Sequence, residues 1–350
     1  MRDLSNHLRE LLEIDIPIVQ APMAGVQDRA LALAASSAGA LGSLPCAMLT
    51  VDALRAEVAA MRAETDKPIN LNFFCHTQPA LDAEREAVWR RVLTPYYREF
   101  GIDPESIAAG AGRAPFSAEI ADMLDDVRPK VVSFHFGLPA PEFVARIHAL
   151  GATILASATT LDEAVWLEAH GADVIIAQGL EAGGHRGIFL TDDVSTQLGT
   201  FALVPQVVRA VKIPVIAAGG ITDAGGVRAA IALGAAAVQV GTAYLLSPEA
   251  TTSQVHRAAL KGAAVNHTAL TNLFTGRPAR GIVNRLMREL GALSDLAPPF
   301  PFAGSAVAPL RAKSESMGSG DFSPLWSGQN ASGCNEIGAA ELTRRLASEL

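Results

Sequence analysis

Between Gln178 and Gly187 the chain reads Gln-Gly-Leu-Glu-Ala-Gly-Gly-His-Arg-Gly. Histidine moves protons near neutral pH, and arginine holds anions. The glycines around them let backbone N–H groups approach a ligand closely. The segment follows the apolar run Asp173-Val174-Ile175-Ile176-Ala177, which reads as a buried strand. A turn that needs glycine for positive φ explains one or two of these glycines, but not a strand that empties into glycines, a histidine and an arginine together. The pattern points to a cofactor site at the end of a strand.

Similar residues follow other short apolar runs. Ala21-Pro22-Met23-Ala24-Gly25 comes after 16–20, and Asn72 precedes Phe73-Phe74-Cys75-His76. His135-Phe136-Gly137-Leu138-Pro139 comes after 131–134. Ala218-Gly219-Gly220-Ile221 and Gly241-Thr242 close the last two runs.

The elements that must position these residues alternate along the chain. Apolar runs at 16–20, 40–43, 69–73, 131–134, 153–156, 174–177, 214–217 and 237–240 read as strands. Helical patterns lie between most of them, at 27–38, 51–63, 141–150, 160–170, 200–210 and 224–233. Thr160 with Glu163 makes a capping box, and Gly151, Gly171 and Gly234 stand where helices stop. Eight βα units predict a TIM-type (β/α)8 barrel of the α/β class. An open doubly wound sheet is the alternative, but neither G-x-G-x-x-G nor G-x-x-x-x-G-K-[ST] occurs. A barrel carries its chemistry just after the strands and holds phosphate after strands seven and eight, where Gly219, Gly220, Gly241 and Thr242 fall.

The expected organisation is barrel over 1–75, an insertion near the active-site face over 76–128, and barrel again over 129–246. A lid or substrate region follows over 247–329, and a C-terminal helix over 330–350 packs on the barrel through Leu342, Leu346 and Leu350. The first insertion carries Tyr96-Tyr97 and a Gly110-Ala111-Gly112 stretch.

Composition excludes several classes. With 49% hydrophobic and 18% charged residues the chain can bury a large core, and 5% aromatics with 30 glycines favour helices tightly packed on a sheet. A net charge of −8 without a basic cluster argues against nucleic acid. Cys46, Cys75 and Cys334 lack metal-type spacing and read as free thiols in a reducing cytosol, so a cytoplasmic location and no metal are expected. The charged start Met1-Arg2-Asp3-Leu4-Ser5 lacks a signal peptide's apolar core. The uncharged stretches 30–51 and 229–248 are interrupted by Gly, Ser, Pro or Gln, so they read as helix plus strand rather than membrane spans.

Together these segments resemble the nitronate monooxygenase family, formerly called 2-nitropropane dioxygenases, over nearly the whole length. The resemblance rests on Gln20 to Gly25, Asn70-Leu71-Asn72, His135 to Pro139 and Gln178 to Gly187. It continues with Ala217 to Ile221, Gln239 to Thr242, Gly276-Arg277-Pro278-Ala279-Arg280-Gly281 and Trp326-Ser327-Gly328-Gln329. The His-x-Phe-Gly-x-Pro, Gly-Gly-His-Arg-Gly and Trp-x-Gly-Gln elements are similar to the class I branch. The resemblance implies a barrel holding one non-covalent FMN and oxidising alkyl nitronates, such as propionate 3-nitronate, with O2 to a carbonyl compound and nitrite. It implies FMN contacts from Gln178, Gly183, Gly220, Gln239, Val240, Gly241 and Thr242, with Met23 and Asn72 near the isoalloxazine ring. His185 and His135 are implied as active-site histidines, and Lys313 as a lysine near the substrate. A monomer or homodimer is expected.

A nitronate is electron-rich at carbon and can reduce a flavin without prior proton removal, so the protein must bind the anion and favour negative charge on the ring. His185 does the first if protonated. If neutral, it acts as a base toward a nitroalkane. His135 shares the anion, orients His185, or caps its strand end. Arg186 either faces the anion or points outward into a salt bridge. Glu181 reads as an acceptor for nearby backbone, Trp326 as core or as a ring near the flavin, and Arg277 and Arg280 as anion contacts or anchors. The alternative within flavoproteins is an NAD(P)H-dependent enoyl-thioester or quinone reductase on the same barrel. Further off are a non-flavin barrel enzyme acting on a phosphorylated metabolite and a flavin-carrying or metabolite-sensing binding protein.

Overall fold

The computed structural model describes residues 4–107 and 113–350. The first three residues, with the charges read above against a signal peptide, and the Gly110-Ala111-Gly112 stretch lie outside the described residues.

Eight parallel strands form the centre: β1 (Ile18–Gln20), β2 (Gly42–Pro45), β3 (Ile69–Phe74), β4 (Val131–His135), β5 (Thr153–Ala158), β6 (Val174–Gln178), β7 (Val215–Ala218) and β8 (Ala237–Val240). From β2 to β8 each strand pairs with the next, and β8 returns to β1 with Ile18 opposite Val238. The seam between β1 and β2 is closed by Val19 opposite Leu41, with Gln20 N–H donating to the Leu41 carbonyl at 2.9 Å. The sheet is a (β/α)8 barrel.

Strand β2 lies two residues later than the apolar run 40–43. Ala40 and Leu41 are buried because Leu41 bridges β1, whereas the ladder to β3 runs from Gly42 to Pro45. Gly42 is required there. A Cβ on it would stand 2.0 Å from the Ala32 carbonyl oxygen, so the helix Arg29–Ser37 packs directly on its backbone.

The outer helices match the patterned segments closely: Val51–Glu64, Pro141–Ala149, Leu161–Ala169, Thr200–Ala210 and Ala224–Ala232. Gly151, Gly171 and Gly234 take φ values of 78°, 101° and 101°, which stops their helices as expected. Thr160 caps Glu163 N–H at 3.2 Å. Glu163 completes the motif one residue early, on the amide and hydroxyl of Thr159 at 2.6 Å each, and its other oxygen accepts from Phe189 N–H at 2.7 Å. The uncharged stretches split as expected into the helix Arg29–Ser37 with β2 and the helix Ala224–Ala232 with β8. No described helix is long and apolar enough to cross a membrane.

The two excursions share a second core. The helix Ala83–Phe100 of the first packs on Ala303–Ser316 of the second. Trp89 Nε1 donates to the Ala303 carbonyl at 3.2 Å, and the Tyr97 hydroxyl to that of Ala306 at 2.6 Å. Phe274, Met287 and Phe322 fill the space between. A small antiparallel sheet of Gly184–His185, Ala279–Ile282 and Thr268–Thr271 ties the second excursion to the loop after β6. The last helix, Ala339–Leu346, buries Leu342 and Leu346 in the core shared with the barrel, and Thr343 meets the Tyr244 hydroxyl at 2.7 Å; Leu350 is exposed.

Candidate active site

The C-terminal ends of the strands open into one cavity of about 1320 Å³, its open mouth included. Met23, Asn72, His135, Gln178, His185 and Gln239 all line it, as do Gly183, Gly219, Gly220, Gly241 and Thr242. Residues nearly 220 positions apart in the chain therefore meet because a barrel gathers its strand ends at one face. Met23 is set by Gln27, whose Oε1 accepts from Met23 N–H at 2.8 Å while its Nε2 donates to the Ser43 carbonyl at 2.7 Å. Asn72 is set by a 2.9 Å bond to the Ser133 hydroxyl.

His185 is held at both ends. Its backbone carbonyl accepts from Gln178 Nε2 at 3.0 Å and from His135 Nε2 at 3.1 Å. Gln178 Oε1 in turn accepts from Gly187 N–H at 2.8 Å, so one side chain clamps the loop on both sides of Arg186. The imidazole of His185 meets the Thr275 hydroxyl at 2.9 Å. His135 thus serves a backbone carbonyl and lines the cavity at once.

Arg186 takes neither expected course. It is fully buried and donates to the carbonyls of Gln178 at 2.7 Å and Gly179 at 2.8 Å, and to Gln197 Oε1 at 2.8 Å. The chain leaves the sheet at Gln178, and the guanidinium fork supplies donors to carbonyls there. Arg280 and Arg277 are anchors. Arg280 Nε donates to the Leu180 carbonyl at 2.9 Å, and Arg277 to the Ile188 carbonyl while lying 4.1 Å over the Phe136 ring.

Burial pushes the His135 imidazole down to about 3, with Arg277 and Arg186 adding to the effect against the hydrogen bond to His185. Burial also holds His185 well below the usual histidine range, reinforced by the positive charges of Arg113 and Arg277 and by His135 and His76. Both shifts favour the neutral imidazole near pH 7, which has one donor and one acceptor nitrogen.

An aromatic wall stands over His185. Phe74, Phe136, Phe300 and Trp326 have ring centroids 6.3, 6.1, 5.5 and 5.6 Å from its imidazole. Phe136 holds φ at 71°, a left-handed conformation that a bulky side chain rarely adopts. That strain turns the chain sharply after His135 and brings the ring back to 4.5 Å from it.

The opposite end is made of backbone. Gly219 and Gly220 take φ values of 119° and 73°, and the Gly220 carbonyl accepts from Asn330 Nδ2 at 3.0 Å. Trp-x-Gly-Gln lies across this end: Gly328 N–H donates to the Thr242 hydroxyl oxygen at 2.9 Å and Gln329 N–H to the Glu181 carbonyl at 2.9 Å. The Glu181 carboxylate accepts from Thr200 N–H at 2.8 Å and from its hydroxyl at 2.8 Å, capping a helix whose own cap is Gly199. Gln239 Oε1 is buried on the cavity lining without a protein partner. A Cβ added at Gly184 would meet no atom within 4 Å, so this part of the lining is bare backbone. Glycine loops after strands seven and eight and an orphaned acceptor between them suit a phosphate-bearing, hydrogen-bonding cofactor.

Two expected site residues lie elsewhere. Val240 is buried in the barrel wall with its side chain off the cavity, and Lys313 is exposed on the outer helix Ala303–Ser316. In the other direction, Arg113, Thr275 and the Phe74 and Phe300 rings belong to the site although their sequence context does not announce them. Thr275 stands just before the Gly276–Gly281 motif, which was the available signal. Arg113 sits in the long first excursion, and a cation following a glycine-rich stretch was the corresponding clue.

A closed (β/α)8 barrel whose strand ends open into one cavity lined by glycines and two histidines is an enzyme-type architecture. Comparison with known proteins narrows it. The family model described as nitronate monooxygenase matches residues 5–349. The chain is 42% identical over 352 residues to a nitronate monooxygenase of Pseudomonas aeruginosa, covering 99% of each. It is also 42% identical over 347 residues to one of Paraburkholderia phytofirmans, covering 98% of this chain and 94% of that one. A crystal structure of nitroalkane oxidase from Streptomyces ansochromogenes superimposes with a TM-score of 0.89 at 38% identity, over 98% of this chain and 97% of the other. The chain belongs to the nitronate monooxygenase family.

Proposed function

We propose that this chain binds FMN non-covalently and oxidises alkyl nitronates with O2 to a carbonyl compound and nitrite. The observation that carries this reading is the charge of the lining. Among the described residues that line the cavity, Arg113 alone is formally charged, and it is positive. A cavity with a cation and no carboxylate favours an anionic substrate, and His185 on the same lining, held neutral, adds no negative charge to oppose it.

The residues fit the cofactor. Gly183, Gly219, Gly220, Gly241 and Thr242 would hold the phosphate end, and Gln239, Met23 and Asn72 the ring. When bound, FMN accepts the electrons of the nitronate and passes them on to O2. Gln178 and His135 fix the His185 backbone, Thr275 fixes its ring, and the aromatic wall keeps water from the reacting face. Because His185 is held neutral, it orients the nitronate oxygens by hydrogen bonding and can accept a proton from a nitroalkane. The excursions supply Arg113, Thr275, Phe300 and Trp326, and so act as the substrate wall. Three free cysteines far apart in the chain fit a reducing cytoplasm.

The test is anaerobic mixing of the yellow protein with propionate 3-nitronate, followed by O2 and a nitrite assay. Flavin reduction by the nitronate and nitrite release after reoxidation are expected. A flavin that stays oxidised with nitronate but bleaches with NAD(P)H would move the chain to the reductases.

A further inference from the structure

A second hollow lies at the face opposite the strand-end cavity. Where β3 and β4 begin, beside the helices Val51–Glu64 and Ala118–Val127, a groove of about 860 Å³, its open mouth included, runs over Val58, Met61, Ile69 and Leu71. This floor is apolar. The rim carries Arg62, Lys67, Arg128 and Lys130 against the single carboxylate of Asp66. A chain of net charge −8 thus gathers four cations around one apolar hollow.

The fold accounts for three of the four. Lys67 pairs with Asp15 and Lys130 with Glu13, at 2.7 Å each, which ties the segment before β1 across this end of the barrel. Arg62 donates to the carbonyls of Val127 and Arg128. Arg128 has no such duty: its guanidinium makes no hydrogen bond or ion pair among the described residues. Asp125 is held below the usual carboxylate range first by Arg146, bonded at 2.9 Å, and by Arg128 only in lesser part.

The backbone of Arg128 is strained as well. It ends the helix Ala118–Val127 at φ 42°, with its N–H on the Leu124 carbonyl at 2.7 Å. That left-handed position favours glycine, which stops other helices at Gly151, Gly171 and Gly234. A strained residue that holds a long cation at the rim of an apolar hollow points to a use for the side chain.

We propose that this groove binds a small amphipathic anion, a single carboxylate head on an unbranched alkyl chain, with Arg128 on the head and Met61 and Leu71 under the chain. One head charge matches the one rim cation without a protein partner, and the guanidinium fork suits a two-oxygen head. Lys67 and Lys130, although paired, add to the positive field at the rim. Ile69 lines the groove and Phe74 lines the strand-end cavity, roughly 17 Å apart along β3 at the usual strand rise. The two sites can therefore be filled together, and the groove does not depend on the chemistry at the other end.

The experiment titrates octanoate into the flavin-loaded protein by calorimetry, with 1-octanol as the uncharged control and acetate as the head without a chain. Wild type should bind octanoate about ten-fold more tightly than 1-octanol and should give no signal with acetate. Arg128→Gly suits the left-handed turn, so its Tm should not fall, and it should lose the preference for octanoate. Arg128→Asn, which also tolerates that turn, should lose it too, and Arg128→Lys should keep part of it. Turnover of propionate 3-nitronate should be the same in wild type and Arg128→Gly.

Equal affinity of wild type for octanoate and 1-octanol overturns the assignment, as does an octanoate preference that survives Arg128→Gly. Octanoate that competes with propionate 3-nitronate would belong to the strand-end cavity and would also overturn it. A wild type that ignores octanoate but dimerises in sedimentation, with Arg128→Asn monomeric, would give the groove to a second copy of the chain instead.

Discussion

His135 Nε2 donates to the backbone carbonyl of His185 across 3.1 Å, so the two histidines are linked through main chain rather than ring to ring. The bond fixes the His135 tautomer with its proton on Nε2 and leaves the His185 imidazole to Thr275. On the proposed reading, one histidine positions and the other faces the reaction. Their loss should therefore have different signatures: His185→Ala keeps the fold and flavin and loses most nitronate turnover, whereas His135→Ala loosens the loop and raises KM as well. Unchanged kcat/KM for His185→Ala on a good nitronate would exclude its assigned role.

Thr275 gives a finer test of the same arrangement. It is buried, and its hydroxyl is the ring partner of His185. Thr275→Val keeps the shape and removes one hydrogen bond, about 1 kcal/mol, or about five-fold in kcat/KM if orientation matters in the transition state. Thr275→Ser should stay near wild type. Steady-state kinetics of the two variants decide it, and equal activity of both would show that the ring needs no such anchor.

Gly220→Val probes the cofactor end. At φ 73° a β-branched residue is strained by about 1–2 kcal/mol. The new Cβ itself would be in ordinary contact, 3.5 Å from Glu181 Cβ, so the barrel should survive. The γ-methyls and the shifted backbone would then disturb the loop that, on the proposed reading, holds the phosphate. Native-like circular dichroism with little bound flavin is expected. Full flavin content on purification would remove Gly220 from the cofactor site.

How far the sequence carried depends on which force places each residue. The strand ends were legible because apolar runs and glycine stops are local, and a barrel converts strand ends into a shared site. Arg186 was not, because its partners are the carbonyls of Gln178 and Gly179, and a buried arginine serving backbone looks the same in sequence as one serving a ligand. Strand β2 was misplaced because burial of Ala40 and Leu41 comes from the seam with β1, a long-range closure that periodicity does not record. Lys313, expected near the substrate, is exposed, and Arg113, which no motif marked, lines the cavity, for a similar reason. Both are cations in excursions, and whether such a residue reaches the cavity or faces solvent is set by tertiary packing that local sequence does not record.

Glu181 sits within the most chemically suggestive segment yet has a structural role. Its carboxylate caps Thr200–Ala210, where Gly199 has no side chain to do so. Glu181→Gln retains an acceptor and should leave kcat unchanged, while Glu181→Ala should cost about 1 kcal/mol of stability. Thermal unfolding and turnover measured on the same preparations check both. Loss of turnover in Glu181→Gln without loss of Tm would make it a participant in the chemistry.

Stability should fall in mild acid. His256 is buried against the Trp326 carbonyl at 3.0 Å, and burial lowers it to about 4; His135 is lowered to about 3. In the unfolded chain both take up protons below about pH 6.5, so their contribution is complete above 6.5 and is lost as pH drops toward 4 and 3. For His256 the slope approaches about 1.4 kcal/mol per pH unit in that window. His256→Gln keeps a donor for Trp326 and should flatten the decline of Tm between pH 6.5 and 4.5. An equally steep decline would assign the acid sensitivity to other groups.

Arg186 should be the least replaceable residue of the loop. Burial pulls its guanidinium down to about 9, with Arg280 adding to that effect and Glu181 and Glu163 opposing it, so it remains charged near neutral pH. No carboxylate pairs with it directly among the described residues; its bonds go to two carbonyls and Gln197. Lysine presents a compact point charge that cannot reach three fixed acceptors in one plane, so part of the loop would be left unsatisfied beneath the site. Arg186→Lys should lose flavin and several degrees of Tm together, because the clamp that holds Gln178 and Gly179 also holds His185. Arg186→Ala should be worse, removing the donor from Gln197 Oε1 and the Gln178 carbonyl, while the Gly179 carbonyl keeps Ala182 N–H at 3.1 Å. A lysine variant with native flavin content and Tm would show that the loop is held by Gln178 and His135 alone.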